Sequence, residues 1–140
     1  MTVRRTHSEA ETTAAGRELG AALGPGTVVL LAGPLGAGKT AFARGIADGL
    51  GCDPDAVSSP TFTIIQEYRG RVTLQHVDLY RLAPVEVDDL ALDEMIDGQV
   101  VVVEWPDRWR GAPDDAIRVR LTPQGDDERE IAIEAPYSTR

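Results

Sequence analysis

Hydrophobic and polar positions change period several times along this chain. From Ser8 to Leu23 the apolar residues recur at helical intervals. Ala15, Leu19, Ala22 and Leu23 share one stripe, and Gly24-Pro25-Gly26 ends it. Ser8 and Glu11 have the spacing of a capping box and place the start of that helix. The helical period then stops. "TVVLLA", Thr27 to Ala32, is a short unbroken apolar run with two valines, which predicts a buried strand. Beyond a glycine-rich stretch, Phe42, Ile46 and Leu50 fall every fourth residue, and Gly51 stops this second helix.

The second half of the chain alternates more. "TFTIIQEY" and "RVTLQHVDLY" are β-rich runs either side of Arg69-Gly70, the pattern of a hairpin with a tight turn. "APVEVDDLALDEMIDG" is acidic and reads as helical in part, starting near Pro84. "QVVVVEW" predicts another buried strand, followed by an irregular "PDRWRGAPDD". "AIRVRLTP" and "REIAIEA" alternate as two partly exposed antiparallel strands joined through "QGDDE". Buried strands beside helices, with a hairpin and an antiparallel end, predict a three-layer α/β domain on a mixed parallel and antiparallel sheet. At 140 residues, one domain over 1–140 is the simplest expectation.

Composition narrows the class. With 42% hydrophobic and 26% charged residues the chain has the make-up of a globular protein. Its net charge of −9 opposes direct binding to nucleic acid, because the arginines are scattered and their one cluster is Arg108 and Arg110. The single cysteine, Cys52, excludes an intrachain disulfide and fits a reducing compartment. The early arginines lack an apolar stretch behind them, and the longest apolar runs are far shorter than a bilayer span. A cytoplasmic location follows as an expectation.

The chemistry starts at "GPLGAGKT". Gly33, Gly38, Lys39 and Thr40 match G-x-x-x-x-G-K-[ST], and Gly36 adds a third glycine to the loop. Glycines let successive backbone N–H groups converge on an anion, and the helix that follows directs its free amides and positive dipole end the same way. Lys39 is the only lysine in the chain. Its compact ammonium suits a place between β- and γ-phosphates, and the Thr40 hydroxyl suits Mg²⁺. The motif lies between a strand and an amphipathic helix, the context it requires.

Such a loop needs a second acidic group for the metal and its waters. Glu104 ends the apolar strand Val100 to Val103, where a residue faces the ligand crevice of a parallel sheet. Asp78, at the end of the hairpin's second strand, is the other candidate. In "SSPTF", Thr61 reads equally as part of a phosphate-sensing switch or of a proline-fixed loop entering a strand. His76 reads as a strand residue with no triad partner nearby in sequence. Trp105 and Trp109 suit a core or an interface, and Trp105, next to Glu104, is placed to wall off a pocket.

Two nucleotide-using classes fit poorly. Guanine selection in GTPases uses a lysine-containing motif, and no lysine exists outside the glycine loop. A small-metabolite kinase needs a basic lid over the transferred phosphoryl group. Here the segment 82–103 has six acidic residues, Glu86, Asp88, Asp89, Asp93, Glu94 and Asp97, and no Lys or Arg, leaving Arg81 as a poor clamp. Hydrolysis coupled to a partner remains the leading reading, with a kinase or a non-hydrolysing nucleotide sensor as competitors.

"GPLGAGKTAFARGIADGLG", "SSPTFTIIQEY", "HVDLYRL" and "VVVVEWPDR", in this order and spacing, resemble the TsaE (YjeE) family of bacterial tRNA threonylcarbamoyladenosine biosynthesis ATPases. The blocks span Gly33 to Arg108. The resemblance implies a P-loop ATPase that acts with the TsaD and TsaB proteins, which grip tRNA and carry out threonylcarbamoyl transfer beside the anticodon. It implies ATP and Mg²⁺ as cofactors. By position, Leu35, Gly36, Ala37, Gly38, Lys39 and Thr40 hold the phosphates, and Thr40 and Glu104 bind Mg²⁺. It also implies that Glu9 contacts the nucleotide, Asp78 is needed for activity, Thr61 lies in a switch-like loop and Trp105 stands beside the site. Two positions depart from the family's usual residues: Pro34 replaces a common acidic residue and Ala41 a common Thr or Ser. Neither supplies a necessary phosphate contact.

Overall fold

The structure is a computed structural model that describes residues 1–53 and 64–135. In chain order the elements are β1 (Thr2–Thr6), α1 (Glu9–Ala22), β2 (Thr27–Ala32), α2 (Lys39–Gly49), β3 (Ile65–Tyr68), β4 (Leu74–Asp78), α3 (Pro84–Asp88), β5 (Val100–Glu104), β6 (Ile117–Pro123) and β7 (Arg129–Glu134). Short 3₁₀ turns at Leu92–Met95 and Pro106–Arg108 flank β5.

Among the described residues, seven strands form one sheet in the order β1-β7-β6-β2-β5-β4-β3. The inner four, β6, β2, β5 and β4, run parallel, and antiparallel strands extend both ends. This is the mixed α/β sheet that the apolar pattern predicts. The unbroken runs in β2 and β5 become its centre: Val29, Leu31 and Val100 to Val103 are fully buried. A strand covered on both faces has no polar side to alternate with.

One face packs on α1 and α2. Phe42, Ile46 and Leu50 cover Val29, Leu31, Val100, Val102 and Leu74. Burying each such side chain contributes about 1.5–3 kcal/mol. On the other face, Val28, Leu30, Val101 and Val103 meet Val87, Leu92 and Trp109, so the acidic segment after Pro84 closes the third layer.

The two long helices touch through glycines. A Cβ on Gly16 would lie 2.2 Å from the Phe42 carbonyl oxygen, and one on Gly45 would lie 2.0 Å from that of Thr13. Gly20 and Gly49 extend the same close approach by one turn. The capping box holds in modified form: Ser8 Oγ accepts from Glu11 N, while the Glu11 carboxylate accepts from His7 N. At the other end, the Arg71 guanidinium donates to the carbonyls of Gly20 and Leu23, satisfying the last turn of α1.

The structure differs from the pattern expected of the sequence in three places. β1 carries no periodic signal, and exists because Thr2 to Thr6 pair with Arg129 to Ile133 at the sheet edge. The hairpin lacks a two-residue turn: β3 ends at Tyr68 and β4 starts at Leu74, and within this longer connection Arg71 reaches across to cap α1. β6 is not merely half of a terminal antiparallel pair, since it also joins β2 in parallel through Val29↔Ile117 to Ala32↔Arg120.

Candidate functional site

Three parallel strands end level with one another. Leu31 of β2 and Asp78 of β4 both lie in register with Glu104 of β5. Side chains alternate along a strand. Glu104 therefore shares a face with Val100 and Val102, and Asp78 shares one with Leu74 and His76; this face packs on α2. The glycine loop leaves β2 at the same level and turns into α2, whose free amides point back over the strand ends.

Loop geometry fits an anion cradle. Gly38 is the residue before α2, with φ 95°, in the left-handed region where a Cβ is strained. Gly33 and Gly36 also have positive φ. Ala37 is fully buried and ties the loop through Ala37 N donating to Pro34 O, while Leu35 is exposed at the loop tip. Arg129 of β7 donates to Gly36 O at 3.1 Å and to the carbonyls of Asp126 and Glu128, strapping the β6–β7 turn to the loop.

Lys39 is almost wholly buried, at 6% exposure. Its ammonium donates to Gly33 O at 2.7 Å and lies 4.0 Å from the centroid of the Trp105 ring. Burial lowers its pKa from the usual lysine range, and the negative charges of Glu104 and Asp78 oppose that shift. Burial raises the Asp78 carboxyl above its ordinary value, partly offset by Tyr80 N donating to Asp78 Oδ1 at 2.9 Å.

Trp105 reaches Lys39 from a strained backbone. With φ 59° and ψ 52° it is left-handed, unusual for a bulky residue and more so before Pro106. Its ring packs on that of Tyr80, centroids 5.0 Å apart. Arg108 donates to the carbonyls of Tyr80 and Leu82, binding the segment after β4 to the turn after β5. Such strain persists where surrounding contacts enforce it, commonly at ligand sites.

A cavity of about 650 Å³ lies over these groups. Of the residues singled out from sequence, it is lined by Glu9, Leu35, Gly36, Gly38, Lys39, Thr40, Ala41, Asp78, Arg81, Glu104 and Trp105. Gly33 and Ala37 lie outside the lining: the first acts through its carbonyl on Lys39, the second as core. Thr61 and the rest of "SSPTF" fall outside the described residues. The cavity also recruits Thr12, Tyr80 and Arg129, which the sequence reading passed over. Only "HVDLYRL" gave any hint of Tyr80. Arg129 looks in sequence like any polar residue opening a strand.

The oxygen donors suit a hard cation. Among the described residues no group of three His, Cys, Asp or Glu forms a self-sufficient metal cage. Thr40, Asp78 and Glu104 instead line the same open cavity, a donor set suited to Mg²⁺, which binds through one or two carboxylates with phosphate and water completing its shell.

The chain is similar to known proteins of one family. A family model described as "Threonylcarbamoyl adenosine biosynthesis protein TsaE" matches residues 6–131. The tRNA threonylcarbamoyladenosine biosynthesis protein TsaE of Bacillus subtilis is 45% identical over 134 residues, covering 94% of this chain and 84% of that protein. Its counterpart in Treponema pallidum is 40% identical over 131 residues, covering 91% and 96%. A crystal structure of Bacillus subtilis YdiB, a P-loop fold, superposes with a TM-score of 0.80 at 38% identity, covering 97% of this chain and 86% of that one.

Proposed function

The chain belongs to the TsaE family of threonylcarbamoyl adenosine biosynthesis proteins, and on that premise we propose that it is the ATP-hydrolysing subunit of tRNA threonylcarbamoyladenosine formation. One observation carries the reading: Lys39 and Thr40 of the phosphate loop, Asp78 and Glu104, from three separate stretches of sequence, converge on one cavity at the mouth of that loop. As a single ATPase domain in the cytoplasm, it works with TsaD and TsaB proteins, and tRNA meets those partners. The acidic balance of this chain supports the last point. Among the described residues no helix is long and apolar enough to cross a membrane.

In this reading the amides at the start of α2 and the Lys39 ammonium take the β- and γ-phosphates of ATP. Thr40 and Glu104 hold Mg²⁺, with Asp78 beside them ordering water. The ion supplies charge neutralisation on the phosphates. Trp105 and Tyr80 exclude bulk water from one side, strengthening each charge interaction inside. The small-metabolite kinase gains no support. Val87 and Leu92 of the acidic segment are buried in the second core cluster, which leaves that segment ill-suited to close as a lid.

The test is reconstitution of threonylcarbamoyladenosine on tRNA with TsaD and TsaB over multiple turnovers, with and without this protein. Sustained turnover that needs this protein and its ATP hydrolysis is the expected result. Equal yields in both reactions would overturn the proposal. Transfer of label from γ-labelled ATP to a small metabolite would favour the kinase.

A further inference from the structure

His76 is a buried histidine that the chemistry above does not use. It stands on β4 two residues before Asp78, facing α2, and is 1% exposed. Its Nε2 lies 2.6 Å from Glu104 Oε2, itself on a side chain with little exposure. Its Nδ1 is buried and has no hydrogen-bond partner among the described residues.

We infer that His76 is a positioning residue for Glu104, donating from Nε2 to one carboxylate oxygen so that the other is presented to the cavity. At 2.6 Å a proton must lie between the two atoms, because two lone pairs at that separation repel. With Glu104 ionised, that proton sits on Nε2. The neutral ring then leaves a bare acceptor at Nδ1, facing nothing. The opposite tautomer would bury an unpaired N–H and set lone pair against lone pair, losing on both counts.

The arrangement also explains why a polar ring is retained in a layer of valines and leucines. Its neighbours on this face are Leu74, Val100 and Val102, all buried. An apolar residue would pack there without an orphaned nitrogen. What it could not do is hold Glu104 in one rotamer. A carboxylate that must meet a cation gains from such a partner, because the position of its free oxygen is set before the cation arrives.

This inference rests on Glu104 serving the nucleotide and its metal as proposed above, and two independent measurements separate its failure from failure of that reading. The first needs no activity. The chain has two histidines, so long-range ¹H–¹⁵N correlation on labelled protein, with a His7→Gln variant for assignment, reads the His76 tautomer directly. The expected state is protonated Nε2 and bare Nδ1, altered in Glu104→Gln. An Nδ1–H tautomer, or resonances indifferent to Glu104→Gln, would overturn the inference.

The second measurement is ATP hydrolysis against Mg²⁺ concentration for wild type, His76→Leu and His76→Gln, each checked for folding by thermal melting. His76→Leu is expected to lower kcat at limiting Mg²⁺ by about 10-fold or more while metal-free ATP affinity is retained. The Gln amide nitrogen reaches much the same place as Nε2, so His76→Gln should restore a large part of that loss. Wild-type metal dependence in a folded His76→Leu protein, or no rescue by a folded His76→Gln, would overturn the inference. Absence of hydrolysis by the wild type, alone and with TsaD and TsaB, would instead strike the ATPase reading and leave the tautomer result standing.

Discussion

The Lys39 ammonium sits 4.0 Å above the Trp105 ring while donating to Gly33 O. The cation that a phosphate loop depends on is thus held from two sides, by the loop's own first glycine and by an aromatic ring from the far end of β5. A flexible lysine would lose side-chain entropy on binding phosphate. Here much of that ordering precedes the ligand.

Trp105 should therefore matter for catalysis beyond any core role. A cation–π contact is worth about 0.5–2 kcal/mol, so Trp105→Ala is expected to lower kcat/KM for ATP by about 2- to 30-fold. Trp105→Phe should recover part of it. Trp105→Gly should be the more stable of the two truncations, because the left-handed backbone at φ 59° suits glycine and strains alanine. Steady-state kinetics and melting curves on the three variants decide this.

Replacing Lys39 by Met should separate binding from folding. ATP affinity should fall about 10- to 100-fold, the worth of charge-assisted hydrogen bonds to phosphate. Thermal stability should hold or rise, because burial lowers the Lys39 pKa and the charged form is therefore penalised in the fold. The sign follows: this penalty is present at pH below the lowered folded value and fades as pH rises through it. Calorimetric titration with ATP and a melt at neutral pH test both halves.

Asp78 offers the complementary case. Burial raises its pKa, so the ionised form costs stability at pH above the raised value, and the cost vanishes below the ordinary carboxylate range. Asp78→Asn keeps an acceptor for Tyr80 N and removes the charge. It should melt higher than wild type at neutral pH, by up to about 2 °C, with the difference shrinking as pH falls. ATP hydrolysis should drop sharply in the same protein.

The α1–α2 contact predicts a defect without any change at the site. Gly45→Ala drives a methyl group into the Thr13 carbonyl, and Gly16→Ala does the same against Phe42. Each should destabilise by about 3 kcal/mol, roughly 10 °C of Tm, although alanine favours a helix. A melt at or above the wild-type value would refute this account of the interface.

Much of the site could be read from the chain. The phosphate loop is contiguous, so its spacing carries its chemistry, and Glu104 was legible because a charge that ends a buried parallel strand faces the ligand crevice. His76, Tyr80 and Arg129 were not. Their roles arise from neighbours 28, 25 and 93 positions away, at Glu104, Trp105 and the Gly36 carbonyl. β1 was hidden for a similar reason: at a sheet edge, Val3 stays largely exposed, so no alternation marks the strand.

Local periodicity and one short motif settle what the chain is: helices where apolar residues recur every three to four positions, buried strands where they run unbroken, and a phosphate loop between the two. These depend on neighbours in sequence, which backbone geometry makes neighbours in space. Tertiary structure alone decides that β6 lies parallel to β2, that glycines on two helices meet, and that Lys39, His76, Glu104 and Trp105 form one cluster. The reason is register. Parallel strands are joined by long crossovers, so which side chains end level is set by sheet packing, and no spacing along the chain records it.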